Sequence, residues 1–214
     1  MGLVINEIFY SVQGESSYAG YPCVFVRLTG CNLRCSYCDT RYAYQEGTEY
    51  AVGAVIERIA ACNCPLVSVT GGEPLLQEET AELTAQLIAG GFTVLLFTNG
   101  TRDIDMVDRN CVRIVDIKCP SSKESDKTDY GNVSKLTDRD EITFVIGTRA
   151  DFEFAKQHAE TFRASSPVRH IHMTPVFGAL APHTLAEWLK QECSYLHLSL
   201  QLHKLIWPGI GRGV

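Results

Sequence analysis

The chain has 214 residues, of which 45% are hydrophobic and 21% are charged, and its formal net charge is −6. This length and composition suffice for the core of one globular domain, so we expect a single domain over residues 1–214. The charges form no basic block, no apolar run approaches the roughly 20 residues that span a bilayer, and the N-terminus lacks a basic region before an apolar stretch, so we expect a cytoplasmic protein that binds neither nucleic acid nor membrane.

Short apolar runs rich in β-branched residues predict strands that are buried on both faces. In chain order these runs cover residues 23–29, 66–70, 93–98, 112–117, 141–147, 170–174 and 195–200. Helical patterns lie between several of them: apolar residues recur at helical spacing over 52–60, a second pattern over 78–89 is closed by two glycines, and Thr184 with Glu187 forms a capping-box pattern that opens a third helix. The segment 120–140, rich in Ser, Lys and Asp, predicts a long loop.

Alternating strands and helices predict parallel βα units. About six core strands are too few for a closed eight-stranded barrel, so the predicted fold class is α/β, with a partial parallel β/α barrel and fewer, shortened helices. Polar or glycine-rich segments follow several strands, and we expect them to meet at one mouth because active sites of such folds lie at the carboxyl ends of the strands. These segments begin at Cys31, Gly71, Asn99, Lys118 and His203.

The nine cysteines favour a reducing compartment, because their number is odd and three of them cluster. We expect Cys111, Cys119 and Cys193 to be free thiols of the core. The clustered three, Cys31, Cys35 and Cys38, leave one coordination position of a metal centre without a protein ligand. A structural zinc ion or an electron-transfer 4Fe-4S cluster normally takes four protein ligands. The alternative is a zinc knuckle with a fourth ligand from Cys23, Cys62, Cys64 or a histidine.

The Cys-x3-Cys-x2-Cys spacing resembles the signature of the radical S-adenosylmethionine (SAM) superfamily, in which the open iron of a 4Fe-4S cluster binds SAM. Gly71, Gly72, Glu73 and Pro74 directly after a strand resemble the glycine-glycine-glutamate element of that superfamily, which binds the amino group of SAM. The resemblance implies a cluster loop over 30–40. It also implies that residues at the strand ends contact SAM: Tyr37, Cys38, Asp39, Gly72, Glu73, Asp116, Ile117, Lys118, Thr174 and Pro175.

Further segments narrow the resemblance, which then covers nearly the whole chain. They are residues 7–15, 20–22, 24–30, 38–40 and 200–204, and together they resemble the 7-carboxy-7-deazaguanine synthase family. Such an enzyme, a carbon-nitrogen lyase, converts 6-carboxy-5,6,7,8-tetrahydropterin to 7-carboxy-7-deazaguanine plus ammonia by radical ring contraction, in queuosine and 7-deazapurine biosynthesis. The family also implies Mg2+, a reducing electron donor of the flavodoxin or ferredoxin type, and a homodimer.

The same resemblance assigns the substrate and metal contacts. Thr40 would ligate Mg2+ through its hydroxyl, and Arg27 would bind the substrate carboxylate with its planar fork. The C-terminal tail, residues 201–214, would close the active site. The full set of implied substrate contacts is Val12, Gln13, Gly14, Glu15, Arg27, Thr70, His203 and Val214.

Structural roles remain open for several of these residues. Arg27 could form an ion pair inside the barrel, Thr40 could cap a helix, and His203 could be a core histidine with its hydrogen bonds satisfied. The apolar tail could be a dimer contact. For the whole chain, the alternatives are a glycyl-radical-enzyme activase, for which only Cys62 and Cys64 offer an extra cysteine pair, and a zinc-stabilised binding module without enzymatic activity.

Overall fold

The computed structural model describes residues 2–214, and its centre is one nine-stranded sheet. The strands are β1 (Leu3–Val12), β2 (Pro22–Leu28), β3 (Thr48–Tyr50), β4 (Leu66–Gly71), β5 (Thr93–Thr98), β6 (Val112–Ile117), β7 (Glu141–Ile146), β8 (His170–Pro175) and β9 (His197–Leu198). The α-helices are α1 (Val52–Ala60), α2 (Glu79–Ala89), α3 (Arg149–Ser165), α4 (Pro182–Glu192) and the single turn α5 (Leu202–Ile206).

The sheet is open and mostly parallel. Its order is β3-β1-β2-β4-β5-β6-β7-β8-β9, and all pairs from β2 to β9 are parallel. Strands β1 and β3 add an antiparallel edge. The two end strands do not pair with each other, so the barrel is incomplete, and the predicted α/β fold class with its core of about six parallel strands is confirmed.

The sequence analysis missed β1, although it is the longest strand. Its polar residues Asn6 and Glu7 interrupt the apolar run, and the register with β2 shifts between Ile5 and Glu7, as in a β-bulge. A bulge breaks the period of two that identifies a strand in a sequence. The three-residue strand β3 is too short to carry a pattern of its own.

Helix α3 was also missed, and α4 begins earlier than predicted. The capping box of the protein lies at α3, where Thr148 and Asp151 cap each other's backbone N–H. The buried side of α3 contains two alanines, which give a weak apolar signal. Helix α4 begins at Pro182, with Ala181 at its N-cap, so the predicted capping role of Thr184 is wrong. Proline suits a first helical position because its φ is already helical.

The segment 120–140 has no α-helix and contains three short 3-10 turns, so the prediction of a long loop is confirmed.

This segment ends at Asp140, which forms a fully buried ion pair with Arg113. Arg113, on β6, has no exposed side-chain area, and its Nη2 lies 2.6 Å from Oδ2 of Asp140. Its other donors reach Asp105 and the carbonyl groups of Ile104 and Lys135.

One hydrophobic cluster joins the sheet and the helices, and it contains Cys111, Cys119 and Cys193 as free thiols, as predicted. The face of the sheet toward the barrel interior is more polar than the face that packs against the helices. Arg27 pairs in register with Thr70, and Asp116 pairs with Thr143, so these four side chains lie on the same face. Within residues 2–214, no helix combines the length and apolarity that a membrane span requires.

Candidate active site

A cavity of about 740 Å³ opens at the carboxyl ends of the parallel strands. It contains most residues that the sequence analysis assigned to a site: Val12, Gln13, Gly14, Glu15, Arg27, Cys31, Cys35, Tyr37, Cys38, Asp39, Thr40, Thr70, Gly72, Asp116, Lys118, His203 and Val214. Four assigned residues, Glu73, Ile117, Thr174 and Pro175, are not among the residues that line it.

The three clustered cysteines form one wall of this cavity. All three thiols are free and partly buried. The backbone N–H of Leu33 donates to Sγ of Cys31 at 3.4 Å, a contact typical of cluster thiolates. Burial raises the pKa of Cys35 to about 11, with Lys118 opposing the shift, so a thiolate here calls for a bound cation. These residues therefore fit an iron-sulfur cluster.

The three cysteines considered as a fourth ligand of a zinc knuckle lie elsewhere in the fold. Cys23 is buried near the start of β2. Sγ of Cys64 lies 3.3 Å from the carbonyl oxygen of Pro22, at the start of β2, whereas Cys31 follows the end of the same strand. Cys62 lies beside the end of α1, 3.6 Å from the carbonyl oxygen of Arg58. Across residues 2–214, no three His, Cys, Asp or Glu side chains, the clustered cysteines included, converge so that they could hold one metal ion. In a 4Fe-4S cluster, by contrast, each cysteine ligates a different iron.

The glycine pair after β4 lets two backbone segments touch. A Cβ at Gly72 would lie 1.9 Å from the carbonyl oxygen of Gly30, and Gly71 has φ +143° with equally little room beside Leu28. The backbone N–H of Glu73 donates to the Gly30 carbonyl oxygen at 2.7 Å. Glycine at both positions therefore holds the start of the cluster loop against the end of β4.

The carboxylate of Glu73 is buried and hydrogen-bonded within the protein, and its contact with the SAM amino group stays a prediction. It accepts hydrogen bonds from the N–H of Leu75 at 3.0 Å, the hydroxyl of Thr98 at 2.9 Å and the N–H of Asn99 at 2.6 Å. Burial raises its pKa, and these three bonds oppose that shift. Its role in this structure is to hold the ends of β4 and β5 together.

The other three assigned residues are not exposed in this cavity, and their contacts with SAM stay predictions. Thr174 pairs in register with Val145, which lines the cavity. Ile117 and Thr174 are buried, with 1% and 2% of their surface exposed, and Pro175 lines a smaller apolar cavity beside the mouth. Side chains alternate along a strand, so the neighbours Asp116 and Lys118 face the cavity while Ile117 faces the core. A contact between Ile117 and SAM would therefore be made through the backbone of Ile117.

Lys118 and Asp116 form an ion pair inside the cavity, with Nζ and Oδ2 2.5 Å apart. Burial alone would lower the pKa of Lys118, but the Asp116 carboxylate raises it overall, so the ammonium stays charged. The second oxygen of Asp116 and the hydroxyl of Tyr37 are buried and have no hydrogen-bond partner within residues 2–214. Buried polar atoms of this kind indicate a polar ligand.

The loop after β1 supplies further polar groups. Nε2 of Gln13 is buried and has no partner in the described part of the chain. Burial raises the pKa of Glu15, although a hydrogen bond from Gln201 at 2.7 Å opposes the shift. Gly14 lies between Gln13 and Glu15. A Cβ at Gly14 would lie 2.4 Å from Nδ1 of His203, so glycine lets the imidazole pack directly on the loop.

Arg27 forms the kind of ion pair that the sequence analysis considered as its structural role. Its Nε donates to Glu7 at 2.7 Å, and the hydroxyl of Tyr42 donates to the same carboxylate oxygen at 2.9 Å. The two terminal guanidinium nitrogens make no hydrogen bond within residues 2–214, and they are the atoms that form a bidentate contact with a carboxylate. The ion pair therefore orients the guanidinium and leaves its fork available.

Thr40 stands at the N-cap position of a short 3-10 turn but makes no capping hydrogen bond. Its hydroxyl donates to Asp39 at 3.0 Å, and the other oxygen of Asp39 pairs with Lys204 at 2.5 Å. Burial alone would raise the pKa of Asp39, but Lys204 lowers it overall. Both oxygens of Asp39 are therefore engaged, and the hydroxyl oxygen of Thr40, which lines the cavity, is the single hard oxygen that this segment could offer to Mg2+.

The C-terminal segment lies across the same cavity. Trp207, Ile210 and Val214 line it, and Arg212 anchors the end of the segment to Glu46 at 2.9 Å. The sequence analysis named residues 201–214 as a closing tail but assigned no role to Gln201 or Lys204, which bind Glu15 and Asp39. Both residues stand in the 200–204 segment that carried the family resemblance. Glu7, the partner of Arg27, likewise stands in a quoted segment without a role.

Comparison with known proteins agrees with this geometry. The family model described as "Radical SAM superfamily" matches residues 25–116, which include the three cysteines and the glycine pair. A crystal structure of QueE from Escherichia coli has the same fold, with a TM-score of 0.78, 23% identity, and 94% of each chain covered.

Relatives of known name cover nearly the whole chain. The 7-carboxy-7-deazaguanine synthase of Koribacter versatilis is 41% identical over 98% of this chain and 99% of its own length. That of Chlorobaculum tepidum is 42% identical, over 99% of this chain and 97% of its own. These matches leave no place for the activase or the zinc-module alternatives. The chain belongs to the 7-carboxy-7-deazaguanine synthase family of radical SAM enzymes.

Proposed function

We propose that this chain converts 6-carboxy-5,6,7,8-tetrahydropterin to 7-carboxy-7-deazaguanine and ammonia by ring contraction. One observation carries the proposal: a single cavity brings the three cysteines together with Arg27, Glu15 and His203. As a radical SAM enzyme, the chain uses a 4Fe-4S cluster and SAM, acts on a small molecule and receives electrons from a donor. When bound, the cluster and SAM supply the radical that initiates the reaction.

The residues of the chain recognise the two ends of the pterin. The free fork of Arg27 binds the substrate carboxylate, and Glu7 keeps that fork oriented. Gln13 and Glu15 bind the amide and amine edge of the pterin, which presents a paired set of donors and acceptors. The raised pKa of Glu15 favours a carboxyl group that can also donate a hydrogen bond. Thr70 and His203 flank the ring.

On the cofactor side, residues of the cavity bind SAM. Cys31, Cys35 and Cys38 hold the cluster, while Tyr37 packs on the nucleoside and Gly72 provides backbone contact. The unpartnered oxygen of Asp116 and the ammonium of Lys118 meet the polar groups of the cofactor. Val12 and Val214 complete the substrate side of the cavity.

Mg2+ is part of the proposal. Thr40 offers one hard oxygen from the protein, which suits an ion that keeps several waters and takes further ligands from its substrate. A Mg2+ ion held by Thr40 would order the substrate carboxylate. The proposal also includes a flavodoxin or ferredoxin as the electron donor and a homodimer as the assembled state.

The test is an anaerobic assay of the cluster-reconstituted protein with dithionite, SAM, Mg2+ and 6-carboxytetrahydropterin, with product detection by mass spectrometry. We expect 7-carboxy-7-deazaguanine from the wild type and from Cys62→Ala, since Cys62 lies beside the end of α1, away from the cavity. Cys35→Ala should yield none. Formation of 5'-deoxyadenosine without the deazaguanine product would refute the proposed substrate while leaving the radical chemistry intact.

A further inference from the structure

A buried glutamate lies beneath the floor of the cavity, outside the set of residues described above. Glu141 opens β7, and only 1% of its surface is exposed. Its side chain lies on the inner face of the sheet, in register with the side chain of His170 on β8. Thr143, two residues further along the same face, lines the cavity.

The carboxylate of Glu141 binds the loop that enters the cavity after β1. One oxygen accepts a hydrogen bond from the hydroxyl of Ser17, and the other accepts from the backbone N–H of Ser17 at 3.1 Å. Ser17 follows Gln13, Gly14 and Glu15 by only a few residues. We call residues 13–17 the substrate loop, and its pterin contacts rest on the proposed function.

The backbone of the substrate loop is strained just before this contact. Ser16 has φ +69°, in the left-handed region that disfavours residues other than glycine. Such a conformation persists only where the surroundings fix it. The next residue, Ser17, donates two hydrogen bonds to one carboxylate, and these provide such a constraint. On the other side of the loop, the N–H of Leu202 donates to the carbonyl oxygen of Gly14 at 3.1 Å.

A histidine holds Glu141 in turn. Nε2 of His172, on β8, lies 2.9 Å from Oε2 of Glu141, and His172 is 4% exposed. Burial alone would raise the pKa of Glu141, but the hydrogen bonds from His172 and Ser17 lower it overall, so the carboxylate remains charged. A charged acceptor strengthens its bonds to Ser17.

We propose that Glu141, oriented by His172, is a positioning residue for the pterin: by binding Ser17 it fixes the strained turn that directs Gln13 and Glu15 into the cavity. It touches neither substrate nor cofactor. The role differs from ordinary stabilisation of the fold, because its loss should affect pterin binding and leave SAM binding unchanged.

The first test is Glu141→Gln, which keeps the shape of the side chain but replaces a charged acceptor with a neutral amide. Loss of a charge-assisted hydrogen bond should raise KM and the calorimetric Kd for 6-carboxytetrahydropterin about tenfold, with KM for SAM within about twofold of wild type. Hydrogen exchange of a peptide that spans the substrate loop should become faster. Equal changes for pterin and SAM, or an unchanged pterin Kd, would overturn the proposal.

The matched control is Asp140→Asn, one residue earlier in the chain. Asp140 is also a fully buried carboxylate, but its hydrogen bonds go to Arg113 and Thr137. This variant should be less stable than wild type and retain the pterin Kd in its folded fraction. A pterin Kd that rises as much in Asp140→Asn as in Glu141→Gln would show that destabilisation alone weakens binding.

A double-mutant cycle isolates the contact with Ser17 and remains available if Glu141→Gln folds poorly. Ser17→Ala removes one bond to the carboxylate, and its effect on pterin Kd should shrink in the Glu141→Gln background because both changes break the same contact. Additive effects would contradict the proposal. If the wild type forms no 7-carboxy-7-deazaguanine, the proposed function fails instead, whereas the hydrogen-exchange comparison still reports whether Glu141 holds the loop.

Discussion

Arg113, near the amino ends of the parallel strands, and the residues Arg27 and Asp116, at their carboxyl ends, differ in how many of their polar atoms have partners. Near the amino ends, Arg113 has all its donors engaged by Asp140, Asp105 and carbonyl groups. At the carboxyl ends, the terminal nitrogens of Arg27 and one oxygen of Asp116 have no partner within residues 2–214. A buried polar atom without a hydrogen-bond partner lowers the free energy of unfolding. The difference indicates that the first arrangement serves stability and the second serves a ligand.

The largest effect should be on stability and should come from breaking the ion pair between Arg113 and Asp140. Arg113→Ala leaves Asp140 buried without its cation, so we expect the free energy of unfolding to fall by about 3–5 kcal/mol. Urea denaturation measures this loss, and kcat/KM per folded molecule should not change. Arg113→Lys keeps the charge but not the planar fork, and its loss should be smaller. Equal stability of Arg113→Ala and wild type would remove the distinction between the two ends.

An intermediate effect, on kcat/KM for the pterin, is expected from removing the terminal guanidinium nitrogens of Arg27. Arg27→Ala removes the bidentate contact with the substrate carboxylate and should lower kcat/KM for the pterin about a hundredfold. Arg27→Lys should recover only part of that activity, because an ammonium cannot form the same two parallel hydrogen bonds. Steady-state kinetics on both variants, with unfolding curves as a control, test this. Wild-type kcat/KM in Arg27→Ala would assign Arg27 to its ion pair with Glu7 alone.

The smallest effect concerns the Mg2+ site, where the protein offers one ligand and water can replace it. Thr40→Ala should raise the Mg2+ concentration for half-maximal activity about tenfold, while Thr40→Ser, which keeps the hydroxyl, should stay near wild type. Titration of activity with Mg2+ measures the change. Identical Mg2+ curves for Thr40→Ala and wild type would remove Thr40 from the site.

The sequence was sufficient to predict the parallel strands at the core of the fold. Strands buried on both faces are continuous apolar runs, and those runs matched β2 and β4 to β8 closely. The edge strand β1 was missed because a bulge beside Asn6 and Glu7 breaks its alternation. Helix α3 was missed because alanines form part of its buried face. Both misses concern elements whose apolar pattern is weak, and tertiary packing stabilises them.

For the site, the sequence was sufficient to predict which residues lie in the same cavity. It was not sufficient to predict the hydrogen bonds that their side chains make. The motif segments brought most assigned residues into one cavity. The hydrogen bonds of the Glu73 carboxylate could not be predicted, because their donors, on Leu75, Thr98 and Asn99, come from separate parts of the chain. Glu141 went unnoticed as a possible site residue for a similar reason, since Ser17 lies 124 positions away in the sequence. Only the folded chain shows such partners.

The contact between Gly72 and Gly30 also bears on how the holoenzyme is assembled. The N–H of Gly30 donates to the carbonyl of Ala43 at 2.9 Å, and its own carbonyl accepts from Glu73, so protein contacts alone tie the cluster loop down at its start. Small zinc domains fold only as they take up metal. Because these contacts at Gly30 need no cluster, we expect the polypeptide to fold before it binds iron and sulfide. Stripping the cluster with a chelator should leave a folded apoprotein that can be reloaded.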